Sequence, residues 1–180
     1  MPEPPFENQF FDSDETLPRP QLRDLQVKRL GELVDRVAAV PFYRAALARL
    51  GVSAADIRDL DDIRRLPITT KADLRDHYPL GFLAVPREQV CRFHGSSGTT
   101  GRPTFVAYTA GDLRTWSGLC ARFLVAGGLR PHHTVQIAFG YGLFTGGFGL
   151  HYGVQRVGAS VIPAAAGNPP PQLMLMSHLK

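Results

Sequence analysis

The residues with the clearest chemical promise form one run, His94 to Thr104, which reads HGSSGTTGRPT between two apolar, strand-like segments. Glycine tolerates backbone conformations that aim successive amides into one cavity. Ser96, Ser97, Thr99 and Thr100 add hydroxyl donors, and Arg102 adds positive charge beside them. Such a set can cradle the oxygens of a polyphosphate. No GxxxxGK[ST] spacing aligns to the run and no GxGxxG occurs in it, so neither a Walker loop nor a dinucleotide-binding fingerprint accounts for it. An ordinary hairpin turn is an equal reading of the composition, because Gly, Ser and Thr dominate turns for local backbone reasons.

The second segment of interest is FGYGLFTGGFGLHYG, from Phe139 to Gly153, where aromatic rings alternate with small residues after an apolar strand. Taken alone it reads as a buried turn packed by its own rings. His94, His151 and Tyr152 read as hydrogen-bonded structural residues before they read as ligand contacts. Cys91 and Cys120 stand far apart with no CxxC pair or His cluster near them, which indicates neither a disulfide framework nor a zinc site.

The elements that must position these segments follow from periodicity. Leu22, Leu25, Leu30, Leu33, Val34 and Val37 recur at helical spacing and predict an amphipathic helix over 21–40, interrupted by Pro41. A second short helix is expected to end at Gly51. Ser53 with Asp56 and Thr70 with Asp73 have capping-box spacing and mark helix starts near Ala54 and Lys71. Beyond Pro86 the pattern changes to short apolar runs at 90–93, 104–108, 134–139 and 159–162. One long helix is expected at 111–126, with Leu113, Trp116, Leu119, Cys120 and Phe123 on its inner side and Gly127–Gly128 as its stop.

This order of elements predicts an α/β fold in which N-terminal helices precede part of a mostly parallel sheet with flanking helices. The expected division is a helical region over 1–85, a partial α/β subdomain carrying the loop over 86–168, and a tail over 169–180. The 180 residues suffice for one domain with a core, and 44% hydrophobic with 20% charged residues is an ordinary globular balance.

The formal charge of +4 is spread among Arg, Asp and Glu of the helical region. With no basic run interleaved with aromatics, nucleic-acid binding is disfavoured. No stretch approaches the length of a membrane-spanning helix and the N-terminus has no secretory pattern, so a cytoplasmic enzyme is expected.

Several motifs taken in order resemble the phenylacetate-CoA ligase family of adenylate-forming, AMP-binding enzymes: VPFYRAAL, LPITTKADLRDHYPLGFLAVP, SSGTTGRPT and YGLFTGGFGLHYG. The resemblance runs from the first helix to about Gly167 and covers the N-terminal portion of such an enzyme. It implies ATP-dependent ligation of phenylacetate or a related aryl acid to coenzyme A through an acyl-adenylate, with Mg2+ accompanying the ATP. It also implies that Ser96, Ser97, Gly98, Thr99, Thr100, Gly101 and Arg102 hold the ATP phosphates. Arg102 departs from the family's usual Lys, replacing a compact ammonium by a planar fork.

Tyr141, Phe144, Gly146 and Gly147 are implied as the acyl-substrate pocket, and no catalytic residue or metal ligand is implied within the chain. The implied partners are the aryl acid, ATP and CoA, without nucleic acid or membrane, and a homodimer of the complete enzyme is compatible with the family. The family's later motifs, for adenine, ribose and a lysine-bearing lid, are not found before Lys180, and PPPQLMLMSHLK departs from the family's pattern. The expectation is therefore a truncated chain, inactive and only marginally stable alone. The alternative is a non-catalytic remnant that binds nucleotide or a partner weakly.

Overall fold

The computed structural model describes residues 10–96, 104–167 and 169–179. By its internal contacts the chain forms two compact units, one of Leu17–Ala107 and one that joins Met1–Thr16 to Tyr108–Lys180.

In the 17–107 unit, α1 (Arg19–Val37) and α2 (Pro41–Leu50) are separated by a short link that ends at Val40. Pro41 occupies the first turn of α2, where its missing N–H costs nothing. Gly51 ends α2 in the left-handed conformation at φ 63°, which glycine adopts without strain. Val34, Leu47, Val52 and Ile57 form the buried core here, with Leu30, Val37, Tyr43 and Leu66 packed around it.

Short helical turns follow, three of them started by a reciprocal cap. Ser53 with Asp56 and Thr70 with Asp73 form the expected boxes, and Asp59 with Asp62 forms a third that was not foreseen. The Thr70 box opens α3 (Lys71–Asp76). Phe42, Tyr43, His77 and Phe82 pack edge-on or tilted with centroids 5.0–5.4 Å apart, and Tyr43 shares a 2.6 Å hydrogen bond with Thr69. The unit closes with β1 (Val90–Gly95) paired to β2 (Phe105–Thr109), whose residues to Ala107 belong to it.

In the other unit, Thr109 and Asp112 cap α4 (Ala110–Ala126). Then come β3 (Thr134–Gln136), α5 (Gly146–Val157), β4 (Ser160–Ile162) and α6 (Pro169–His178). β3 and β4 are parallel, with Val135 opposite Val161, and α5 is the crossover between them. This is the βαβ connection that the α/β expectation requires, while β1 and β2 form a separate two-stranded sheet. Leu129, Val154 and Ala159 are the buried centre, surrounded by Leu124, Val135, Val157 and Val161.

α4 packs on α5 through glycines. A Cβ at Gly153 would lie 2.6 Å from Cys120 Cβ, and one at Gly149 would lie 2.8 Å from Trp116 Cζ2. The side of α4 that faces inward is therefore that of Cys120, Ala121 and Val125. Leu119 and Phe123, expected on the inner side, are 53% and 54% exposed. Gly153 brings Cys120 against α5 and Gly149 makes room for the Trp116 ring, while Leu119 and Phe123 turn outward.

The 10–16 segment of this unit is held to α4 by Arg122, whose guanidinium donates to both carboxylate oxygens of Asp12 at 2.7–2.9 Å and lies 3.6 Å from Asp14. The residues from Pro169, expected as a divergent tail, form α6: proline is tolerated in a first turn, and Gln172 to Met176 are good helix formers. Gln172 anchors α6 by donating to the Ala165 and Gly167 carbonyls. Between α6 and the β3–β4 pair lies an open groove of about 570 Å³, lined largely by apolar side chains such as Val135, Ile162, Leu173 and Met176. Among the described residues no helix is long and apolar enough to cross a membrane.

Candidate functional site

The glycine- and hydroxyl-rich loop is carried between β1 and β2. Ser96 and Thr104 stand at its two ends and are bound to each other three times: the Ser96 amide donates to the Thr104 carbonyl at 3.0 Å, and the Thr104 amide and hydroxyl donate to Ser96 Oγ at 3.1 and 3.2 Å. Ser96 thus closes the neck of the loop as an acceptor, and keeps its own hydroxyl proton as a donor. Ser97, Gly98, Thr99, Thr100, Gly101 and Arg102 lie outside the described residues. His94, in β1 below the neck, is only 2% exposed.

The second candidate segment leaves β3 at Ile137, which is tied to β4 and the segment after it: its amide donates to the Ile162 carbonyl at 2.9 Å and its carbonyl accepts from the Ala165 amide at 3.1 Å. The chain then turns into α5, whose first residues are Gly146 and Gly147. A Cβ at Gly146 would lie 2.5 Å from Phe139 Cε1, and one at Gly147 would lie 2.7 Å from the Gly140 carbonyl oxygen. Both glycines therefore let residues 139–140 lie against the start of the helix.

Tyr141 and Phe144 have different surroundings. Tyr141 is partly buried and meets Phe148 edge-on at 5.4 Å and 88° and His151 at 5.7 Å and 85°. Its hydroxyl lies 3.2 Å from His151 Nδ1. Phe148 and Tyr152 stack nearly parallel, and His151 meets Tyr152 edge-on at 5.3 Å. Phe148, His151 and Tyr152 share one side of α5 because they stand three and four residues apart. Phe144, by contrast, is 62% exposed. Burial pushes the Tyr141 phenol above its ordinary pKa, so it is a neutral donor at physiological pH.

The structure thus gathers Tyr141, Gly146 and Gly147 at the start of α5 and leaves the Phe144 ring open to solvent. Sequence reasoning passed over Phe148 and ranked His151 below Tyr141, although the spacing in FGLHY already put Phe148, His151 and Tyr152 on one helical side. Among the described residues there is no group of three or more His, Cys, Asp or Glu that could hold a metal. Neither Cys91, which is exposed, nor Cys120, which is buried, is in a disulfide, and burial pushes the Cys120 thiol up.

No protein-family model matches the chain. Among curated proteins it is 51% identical over 167 residues to a phenylacetate-coenzyme A ligase of Thermus thermophilus, covering 92% of this chain and 38% of that protein. It is 47% identical over 170 residues to the Escherichia coli phenylacetate-coenzyme A ligase, covering 94% of this chain and 39% of that one.

Among solved structures, 2-hydroxyisobutyryl-CoA ligase in complex with 2-HIB-AMP and CoA matches with a TM-score of 0.84 at 30% identity, over 98% of this chain and 39% of that one. An open conformation of the same ligase matches with a TM-score of 0.83 at 28% identity, over 98% and 42%. Over 92% of its length the chain is thus homologous to curated phenylacetate-coenzyme A ligases, of which it spans about two-fifths, and its structural neighbours are adenylate-forming CoA ligases.

Proposed function

We propose that this chain carries the phosphate-holding loop and part of the acyl pocket of an ATP-dependent acid-thiol ligase that acts on phenylacetate or a related aryl carboxylic acid. The observation that supports this best is the 51% identity, over 92% of the chain, to a phenylacetate-coenzyme A ligase. In the reaction a carboxylate oxygen of the acid attacks the α-phosphorus of ATP and pyrophosphate departs. The sulfur of CoA then attacks the acyl carbon and AMP departs.

The loop's part is to hold the β- and γ-phosphates as charge builds on the leaving pyrophosphate, a task for fixed amides and hydroxyls and a nearby cation. Ser97, Thr99, Thr100 and Arg102 supply the side-chain groups, and the triple link between Ser96 and Thr104 holds the ends of the loop together. Mg2+ accompanies the nucleotide. Tyr141 and Phe144 take the aryl ring, with Gly146 and Gly147 keeping the turn beside it compact.

The test joins this chain to the C-terminal portion of the Thermus thermophilus relative and supplies ATP, Mg2+, phenylacetate and CoA. AMP release and phenylacetyl-CoA formation that depend on both acid and thiol are expected, and sustained AMP release is not expected from the 180 residues alone. A folded hybrid that forms no AMP with any aryl acid overturns the reading.

A further inference from the structure

Building on the ligase reading, we propose that His151 is a positioning residue for aryl-acid recognition: by accepting the Tyr141 hydroxyl proton it fixes that ring as a wall of the acyl pocket. Tyr141 sits on the turn before α5, where no helical hydrogen bonds restrain it. A surface tyrosine in a turn ordinarily samples more than one rotamer.

Two contacts hold this one. Its ring edge rests against Phe148, and its hydroxyl reaches His151 Nδ1 at 3.2 Å. Both partners project from α5, and both pack against Tyr152, at 6.3 Å for Phe148 and 5.3 Å for His151. The support is therefore a three-ring platform on a helix whose backbone is pinned to α4 at Gly149 and Gly153.

We assign Nδ1 as the acceptor: an imidazole that carries its proton on Nε2 accepts at Nδ1, and the phenol then donates. Replacing His151 by an apolar residue removes the acceptor, and a partly buried phenol regains a partner by swinging outward to water. The ring moves with it, and the wall against which a flat substrate ring lies is lost. A short aliphatic acid does not use that wall, so the effect falls on the choice between acids.

The variants are His151→Leu, which keeps bulk without the acceptor, and His151→Asn, whose side-chain oxygen falls near the Nδ1 position. In the hybrid enzyme, His151→Leu is expected to lower the phenylacetate-to-acetate ratio of kcat/KM by about tenfold, the scale of one lost packing contact in a pocket. His151→Asn should recover most of that loss. In a Tyr141→Phe background the same His151→Leu change should have little further effect, since the two residues act as one unit.

A loss that is equal for both acids and tracks thermal unfolding, or one that persists undiminished in the Tyr141→Phe background, overturns the proposal. A readout independent of turnover is the ring-carbon resonance of Tyr141 in the 180-residue chain labelled with 13Cζ-tyrosine and assigned by its disappearance in Tyr141→Phe. His151→Leu must shift it and His151→Asn must largely restore it, whereas an unmoved resonance refutes the pairing. If the hybrid makes no thioester while the resonance responds as stated, the ligase reading has failed and the Tyr141–His151 pairing stands.

Discussion

Replacing Gly153 and Gly118 in turn by alanine should move stability in opposite directions, although both lie within helices of one packed pair. At Gly118, in α4, a Cβ would meet nothing within 4 Å. There alanine only removes glycine's excess freedom in the unfolded chain, a gain of about 0.5–1 kcal/mol. At Gly153 the same intrinsic gain is opposed by a collision: the new Cβ would lie 2.6 Å from Cys120 Cβ, 3.1 Å from Leu124 Cδ1 and 3.2 Å from the Cys120 carbonyl carbon.

Carbon atoms in good contact stand about 3.5–4.0 Å apart. The helices must therefore separate by roughly 1 Å, and since part of the obstacle is backbone no rotamer change relieves it. Overpacking of this kind costs about 1–3 kcal/mol, leaving a net loss of about 1–2 kcal/mol. For a chain of this size that is a fall in Tm of roughly 2–8 °C, against a rise of roughly 1–4 °C for Gly118→Ala.

The assay is urea and thermal unfolding of the 180-residue chain. It is followed by far-ultraviolet circular dichroism and by the fluorescence of Trp116, the single tryptophan, whose indole borders α5 at Gly149. A Gly153→Ala chain as stable as the parent, or more stable, refutes the account of how α4 and α5 pack.

Three further outcomes are expected. Phe144→Ala should cost less than about 1 kcal/mol of stability, because the ring is 62% exposed, where a core phenylalanine costs about 3–5 kcal/mol. It should nonetheless lower the hybrid's preference for phenylacetate over acetate, and a large fall in Tm with an unchanged preference would take Phe144 out of the pocket. Ser97→Ala and Thr100→Ala should each slow adenylation in the hybrid by about 2–4 kcal/mol of barrier, read as pyrophosphate exchange, and exchange at the parent rate makes the loop only a turn.

The third outcome concerns acid. The Asp56 and Asp73 carboxyls are held below the ordinary carboxylate range by the Ser53 and Thr70 hydroxyls and then by their amides, and Asp62 by the Arg58 and Asp59 amides. A folded-state pKa below the unfolded one gives stability that is complete above the ordinary Asp value of about 4 and is lost as pH falls through the lower folded values. The urea midpoint should therefore drop between about pH 5 and pH 2, and by less in Asp73→Asn, while a midpoint that is flat over this range contradicts the capping account.

Much of this was written locally in the sequence. Pro41, Gly51 and the Ser53 and Thr70 boxes are contacts between residues a few positions apart, and local chemistry decides them. The boxes at Asp59 and Thr109 obey the same rule, and were hidden because one lies in a run of charges and the other at a strand's last residue. Trp116 and Cys120 do face α5, but Leu119 and Phe123 were wrongly placed on the inner side of α4, for a different reason. Its apolar residues form two overlapping stripes, and which one turns inward depends on glycines of α5 some thirty residues later in the chain. Likewise the loop motif and the Gly146–Gly147 pair stand out in the string, whereas the Tyr141–His151 bond spans a turn of no repeating geometry, where spacing rules have no purchase.

The Arg122 clasp on Asp12 also sets an order of events during synthesis. The two residues are 110 positions apart, with the whole 17–107 unit between them. At about 5–20 residues per second, Asp12 is made roughly 5–20 s before Arg122. During that interval Val34, Leu47, Val52 and Ile57 can already assemble, since they all come from the intervening stretch. Asp12 is thus among the last of the residues around it to find its partner, because the 17–107 unit is translated in full before Arg122 is made.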